Sequence, residues 1–486
     1  MVDRPLQGGL GGGLLPAGAV MITCDDRGVA ERIVERFDMF DHPTILLRHV
    51  DGKNYEQSPA VDLIELDLSD AENVTALLSG IRKYHPVIGG LLHLSPISRF
   101  AGSDTLTQRA RRDCRSLYLL ARGLEADLNQ ASRDGKAILL TATAIDGRLG
   151  YGNDPECHVA RAAHGGILGL TKCIGLEWPD VIVRAVDIDP KMSANAIFDA
   201  ITAEMSEAES PLEVGVDATG RRTWEPISAP IRIDSDAAEL LQPDDVVVIT
   251  GGARGITAEI AIGMARKYRP RLILLGRSAL PSNEELETVS AAKQESDIKA
   301  ALIAHARKQG RVPKPAEIGR ETKRILATRE IRRTLDEIRR QGGSVEYQAV
   351  DVSDHARFAS ALREIQHQHG PIAGVIHGGV IEDKLLRDKT PESFDRVFNT
   401  KINSTATLIE VLDPGRLKFL ALFASVASRF GNRGQSDYAA ANEVLGKVAC
   451  ILNAAWPMTK TFAVAWGPWA EVGMVADLEK HLTAQG

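Results

Sequence analysis

The sequence predicts an α/β protein whose parallel-sheet fold is written twice, and three observations carry that expectation. Val246–Ile249 is a run of four β-branched residues without a polar break, as a strand buried on both faces requires. Thr250-Gly-Gly-Ala-Arg-Gly255 follows as a turn, and Ile256, Ile260, Ile262, Met264 and Ala265 then suit a helix packed back on that strand. The same order opens the chain: a strand at Ala19–Thr23, the turn Cys24-Asp-Asp-Arg-Gly28, and a helix through Phe37.

Landmarks further on fix the duplication. Ile22-Thr23 with Arg27-Gly28 matches Ile249-Thr250 with Arg254-Gly255 at an offset of 227, while Val61–Asp70 matches Val345–Asp354 and Gly90–His93 matches Gly374–His377 at 284. The second copy therefore carries 57 extra residues (284 less 227) between these landmarks. They fall in a charged segment at 281–341, with helical patterns near Asp297–Gln309 and Ile325–Arg340. A structureless loop of that length is unexpected in a compact domain, so we read a helical surface elaboration, either inert or a partner's docking face. Val214–Trp224 reads as a hairpin around Ala218-Thr-Gly220, and Pro226, Pro230 and Pro243 put the boundary between halves near 230–243. The expected division is a Gly-rich linker at 1–16, a first half at 17–235 and a second at 236–486.

Composition narrows the class. The 486 residues carry 65 acidic and 58 basic side chains, a net charge of −7, which gives no reason to expect nucleic acid or an anionic membrane surface as partner. Five scattered cysteines (Cys24, Cys114, Cys157, Cys173 and Cys450) without C-x-x-C spacing fit a reducing cytoplasm and argue against a metal site. No apolar run approaches the ~18 residues of a membrane span.

A strand, a glycine turn and a helix place bare N–H groups and a positive helix end at one point, which suits a pyrophosphate. The spacing at Thr250, Gly251, Gly252, Arg254, Gly255 and Ile256 is near T-G-x-x-x-G-x-G, with Thr257 replacing the last glycine. In the first copy Cys24-Asp25 stands where the second has Gly251-Gly252, and Asp25 and Asp26 would repel a phosphate, so that half reads as structural. After the Leu272–Leu275 strand, Arg277 and Ser278 sit where a ribose 2′-phosphate would lie, which favours NADPH over NADH. Asp351 and Val352 are placed for the adenine edge, although Asp351 and Asp354 could equally start a helix. Gly378 and Gly379 would let backbone approach the ribose and nicotinamide, while His377 reads as packing.

Next come Lys401, Ser425 after the Phe419–Phe423 strand, and Tyr438 with Asn442, which share a helix face at i, i+4. Carbonyl reduction needs an acid, a donor that holds the oxygen and a cation that makes a tyrosine acidic. Tyr438, Ser425 and Lys401 offer those groups; Lys447, nine residues beyond Tyr438, falls on the opposite helix face.

These residues together resemble the ketoreductase domains of type I polyketide and polyunsaturated-fatty-acid synthases, within the short-chain dehydrogenase/reductase superfamily. Thr250–Ile256, Leu275-Gly-Arg-Ser278, Asp351-Val-Ser-Asp354, Lys401, Ser425, Gly434–Asn442 and Trp466-Gly-Pro-Trp469 carry the resemblance, and Arg329-Glu-Ile-x-x-Thr-Leu335 is most like the polyunsaturated branch. It implies two tandem Rossmann-like, doubly wound parallel-sheet halves, the first degenerate and the second catalytic. It also implies NADPH as cofactor, an acyl carrier protein bearing a β-ketoacyl chain as partner, neighbouring synthase domains, and Tyr438, Ser425, Lys401 and Asn442 as the catalytic set. His377-Gly-Gly-Val-Ile-Glu-Asp383 is one residue shorter than the family's pattern; Ile381-Glu-Asp383 and Phe430 point to the D-hydroxy product. An end at Gly486, just after a Met474–Leu482 segment expected to form the substrate lid, suggests excision from a larger synthase. The competing expectations are a module that binds NADPH or carrier protein without turnover, and a stand-alone reductase of a free ketone.

Overall fold

The computed structural model of the chain describes residues 1–3, 15–56, 63–207, 210–230, 240–280, 285, 287–378 and 384–469. The Gly8–Gly13 linker, Gly379, Ile381–Asp383 and the expected lid lie outside the described residues.

Strands β1 (Val2–Asp3), β2 (Ala19–Thr23), β3 (Thr44–His49), β4 (Leu63–Leu66), β5 (Ile88–His93), β6 (Ile138–Thr143), β7 (Ile182–Ile188), β8 (Glu213–Asp217) and β9 (Gly220–Thr223) form one sheet. Its order is β1-β9-β8-β7-β6-β5-β2-β3-β4. Pairing is parallel from β4 to β8, and the β8–β9 hairpin and β1 add an antiparallel edge. The second sheet contains β10 (Val246–Thr250), β11 (Arg271–Gly276), β12 (Ser344–Ala349), β13 (Ile372–His377), β14 (Phe419–Ser425) and β15 (Lys460–Trp466), in the order β12-β11-β10-β13-β14-β15. Both are α/β sheets with crossover helices, and in both the winding reverses beside the first central strand. That is the switch point at whose carboxyl edge such folds bind ligands.

The duplication extends to an irregularity. β2 meets β5 with a register shift between Ala19 and Val20, and β10 meets β13 with a shift between Val246 and Val247. Beyond the shift Val20 pairs with Gly90 and Val247 with Gly374, the two glycines of the sequence match. The central strands are buried on both faces, which is why they read as unbroken apolar runs.

The extra residues of the second copy fold into helices Glu287–Ser290, Glu295–Lys308 and Pro315–Arg340 around a small core of Val289, Ala292, Ile298, Leu302 and Ile325. The last helix starts ten residues before the periodicity suggests. Pro315 sits at its N-terminus, where a proline's missing N–H is harmless.

The chain separates into two compact units, and they do not coincide with the halves of the sequence. Residues 1–235, 380–406 and 422–467 form one; 236–379, 407–421 and 468–486 form the other. The physical reason lies in one helix pair of the first unit. Helix Ser436–Ala455 packs on His164–Glu177 so closely that a Cβ on Gly165 would stand 2.8 Å from the Glu443 carbonyl oxygen, and one on Gly169 2.5 Å from that of Ala439. Two glycines four apart let the backbones meet, so this stretch of the second copy is packed as part of the first.

Candidate active site and nucleotide cradle

The Thr250–Ile256 turn keeps its backbone bare for local reasons. Gly251 and Gly255 hold φ of 70° and 58°, which disfavour any side chain. Gly252 has an ordinary φ but no room: an added Cβ would lie 2.7 Å from Ile249 Cβ and 2.9 Å from Leu274. Thr257 Oγ1 donates to the Gly251 and Arg254 carbonyls at 2.7 and 2.9 Å and closes the turn, a job a glycine at this position could not do. Thr250 Oγ1 accepts the Gly378 N–H at 3.0 Å and bonds His377 Nδ1 at 2.8 Å, pinning β10 to the end of β13. His377, 1% exposed, is thus part of the scaffold.

Beyond the turn, Arg277 is exposed and Ser278 half-buried after β11, with the Ser278 carbonyl taking the Tyr347 hydroxyl at 2.6 Å. Asp351 is exposed and Val352 half-buried after β12. The Asp351 carboxylate accepts the Ser353 hydroxyl and N–H at 2.7 and 3.0 Å, and these bonds, the hydroxyl first, with Arg277 nearby, hold its pKa below the usual range. Asp354, in contrast, caps the next helix by accepting the Arg357 N–H. One partner in the cradle is absent from any local pattern. Glu330, on the inserted Pro315–Arg340 helix, accepts Arg254 Nε at 2.7 Å and the Gly255 N–H at 3.0 Å.

Lys401, Ser425, Tyr438 and Asn442 belong to the other unit, and there they are drawn together. Lys401 is 2% exposed and donates Nζ to Asn442 Oδ1 at 2.8 Å and to the Phe423 carbonyl at 2.9 Å. Asn442 Nδ2 donates to the Tyr438 carbonyl at 2.7 Å, so the i, i+4 pair is joined through side chain and backbone. The Lys401 ammonium lies 5.7 Å from the centroid of the half-buried Tyr438 ring. Burial alone pushes the Lys401 pKa down to about 7, since these two acceptors are neutral oxygens. Ser425 sits at the end of β14 and accepts the Ala427 N–H at 3.2 Å, which fixes its oxygen and leaves its O–H to donate.

Lys447 is differently placed. It pairs with Glu443 at 2.9 Å and lies 4.0 Å from the Tyr151 ring centroid. Glu443, next to Asn442, also meets Arg429 at 2.6 Å, and Arg429 reaches Glu213 at 3.2 Å and the Tyr151 hydroxyl. Lys172 closes the network on Glu213 at 2.7 Å. Burial opposes charge on Glu443, yet Lys172, Lys447 and Arg429 outweigh it and hold the carboxyl below its ordinary range.

Elsewhere, His49, Asp51 and Asp67 gather as the one metal-like group among the described residues. His49 Nδ1 accepts the Leu68 N–H at 3.1 Å, and Asp67 takes the Ser69 hydroxyl and N–H, so these donors are engaged in holding a loop. No helix among the described residues is long and apolar enough to cross a membrane.

Comparison with known proteins adds a family match over part of the chain. Residues 246–471 match the family model described as the KR domain. The chain is 35% identical over 381 residues to a polyunsaturated fatty acid synthase polypeptide of Thraustochytrium sp., a match that takes in 76% of this chain and 13% of that protein. It is 25% identical over 320 residues to polyketide synthase PksN of Bacillus subtilis, covering 65% of this chain and 5% of the relative. The chain thus spans a small part of the curated relatives it matches. Among solved structures it resembles an N-terminal ketoreductase from the macrolactin assembly line (TM-score 0.67, 18% identity, 94% of this chain and 81% of that one). It also resembles A-type ketoreductases from modular polyketide synthases (TM-score 0.63, 21% identity, 96% and 82%). At those identities the likeness speaks for the fold.

Proposed function

We propose, from the match of residues 246–471 to the KR-domain family model and the 35% identity to a polyunsaturated fatty acid synthase polypeptide, that the chain is an NADPH-dependent β-ketoacyl reductase. Its substrate in this reading is a β-ketoacyl thioester carried on an acyl carrier protein within a larger synthase, and its product the D-β-hydroxyacyl thioester.

The observation that carries the reading is the hydrogen-bonded chain Lys401–Asn442–Tyr438, with Ser425 fixed at the end of β14. A nicotinamide dinucleotide fits the other unit's turn: its glycines leave backbone bare at a helix N-terminus, and Arg254 and Arg277 are exposed cations beside it. When bound, NADPH supplies the hydride. The protein supplies placement and the proton. Ser425 donates to the ketone oxygen and holds it, and Tyr438 gives its phenolic proton to that oxygen as negative charge develops. The Lys401 cation stabilises the phenolate left behind, and Asn442 orients the ammonium by accepting one of its protons.

NADPH consumption with trans-1-decalone or an acetoacetyl thioester tests the activity. We expect turnover by the full chain and a loss of about a thousandfold in Tyr438→Phe, the scale of removing a general acid. Absence of turnover at high enzyme concentration would favour a binding-only module. Faster turnover of the free than the carrier-bound substrate would favour a stand-alone reductase. Chiral analysis returning mainly the L-alcohol would overturn the assigned stereochemistry.

A further inference from the structure

The insertion has no part in the reduction outlined above, yet it reaches into the phosphate cradle. Two adjacent residues of the Pro315–Arg340 helix divide the work. Arg329 faces the insertion itself: it bonds the Glu285 carboxylate (closest approach 2.6 Å) and the Val289 and Ala292 carbonyls at 2.7 and 2.5 Å. Glu330 faces the turn and holds both Arg254 Nε and the Gly255 N–H. Gly255 begins the Gly255–Tyr268 helix, so this amide is one of the bare donors at the positive end of that helix. The insertion is therefore anchored by one side chain and delivers a carboxylate with the next.

That carboxylate occupies groups a cofactor phosphate would use. A second anion brought to the same guanidinium and helix end meets a negative charge already there, and the penalty grows with the charge of the newcomer. NADPH carries a 2′-phosphate that NADH lacks.

We infer that Glu330 is a cofactor-affinity residue: an insertion-borne carboxylate at the phosphate end of the cradle that yields when the cofactor docks and penalises NADPH more than NADH. The inference rests on the reading that the Thr250–Ile256 turn holds a nicotinamide dinucleotide. It gives the insertion a role beyond surface decoration, as the element that tunes how tightly the cradle grips its phosphates.

The test uses the full chain and the Glu330→Gln variant, with dissociation constants for NADPH and NADH measured separately by fluorescence titration. Glutamine keeps an oxygen to accept the Gly255 N–H and removes only the charge. NADPH binding should tighten about fivefold, the factor equivalent to about 1 kcal/mol for a partly exposed charge, and NADH binding by less. The gap between wild type and variant should narrow as salt is raised. Unchanged or weakened NADPH binding in the variant, with the wild type binding normally, overturns the inference and leaves the cofactor reading intact. Equal tightening of both nucleotides overturns the discrimination. Failure of the wild type to bind either nucleotide removes the cofactor reading and this inference together.

Discussion

Cys24–Gly28 and Gly251–Gly255 are the same turn in the two copies, and they satisfy the same demand in different ways. Both follow a strand ending in threonine. Thr23 Oγ1 lies 3.4 Å from His93 Nδ1 and accepts the Leu94 and Ser95 N–H groups, as Thr250 bonds His377 and Gly378. Both end in a glycine with positive φ, Gly28 at 79° and Gly255 at 58°. The difference lies between those fixed points. In the first copy the Asp25 carboxylate, 7% exposed, accepts N–H groups of Arg27, Val29 and Ala30 at 2.6, 3.3 and 2.7 Å. Arg27 turns away to the Ile97 and Pro190 carbonyls. The first copy carries its own anion at the helix end, built in two residues after the strand. In the second copy glycine stands there, and the carboxylate that visits comes from Glu330, on a separate helix. A helix N-terminus seeks negative charge in either case, and the two copies differ in whether that charge is part of the turn itself or comes from a separate helix.

The largest effect is expected from writing the Asp25 carboxylate into the second copy. Gly252→Asp adds a Cβ where Ile249 and Leu274 leave no space and a charge where phosphate would sit. NADPH affinity should fall about 100-fold or more, measured by titration with a thermal melt as the folding control. A variant that stays folded and binds normally would mean that the cradle lies elsewhere.

The next effect concerns Lys401, in the other unit. Lys401 titrates near pH 7 rather than at its ordinary 10.5 because it is buried against neutral partners. It is charged below about 7 and neutral above, so kcat for ketone reduction should decline about tenfold per pH unit as pH rises through that region, if the cation is needed. Stability should move the other way. Between about 7 and 10.5 the unfolded chain binds a proton that the folded chain does not, so this group makes unfolding harder as pH increases. A kcat profile flat from pH 6 to 9 would remove Lys401 from the mechanism.

The smallest expected effect belongs to the first copy. Asp25→Ala strips the acceptor from three N–H groups and should cost about 1–2 kcal/mol in denaturant unfolding. NADPH affinity should not change. A loss of binding there would show that the first turn does more than hold its own helix.

Much of this was legible in the chain as a string. The offsets of 227 and 284 located the duplicated landmarks, because residues that pin a strand end are set by contacts the fold cannot vary. Helices in the 281–341 segment were readable from periodicity, although Pro315 moved one start. Tyr438 and Asn442 could be placed on one helix face because i, i+4 geometry is local. Glu330 stands in the Arg329–Leu335 motif, yet nothing near it in sequence pointed to Gly255, 75 residues away. The hairpin at β8–β9 followed from its turn residues; β1, which pairs with β9 across more than 200 residues, had no local signal.

Sequence alone determined central strands such as β2, β5, β10 and β13, that the fold is repeated, which copy carries Gly251-Gly252 in its turn, and the order of Lys401, Ser425, Tyr438 and Asn442. These are matters of local propensity and spacing, written residue by residue. Only the tertiary structure decided that Asp25 spends its carboxylate on its own helix, that Glu330 spends its on the other turn, and that the helix bearing Tyr438 is seated on Gly165 and Gly169 of the first copy. Those are pairings between residues far apart in the chain. Hydrogen bonding and close packing select such partners by distance in space, which spacing along the sequence does not encode.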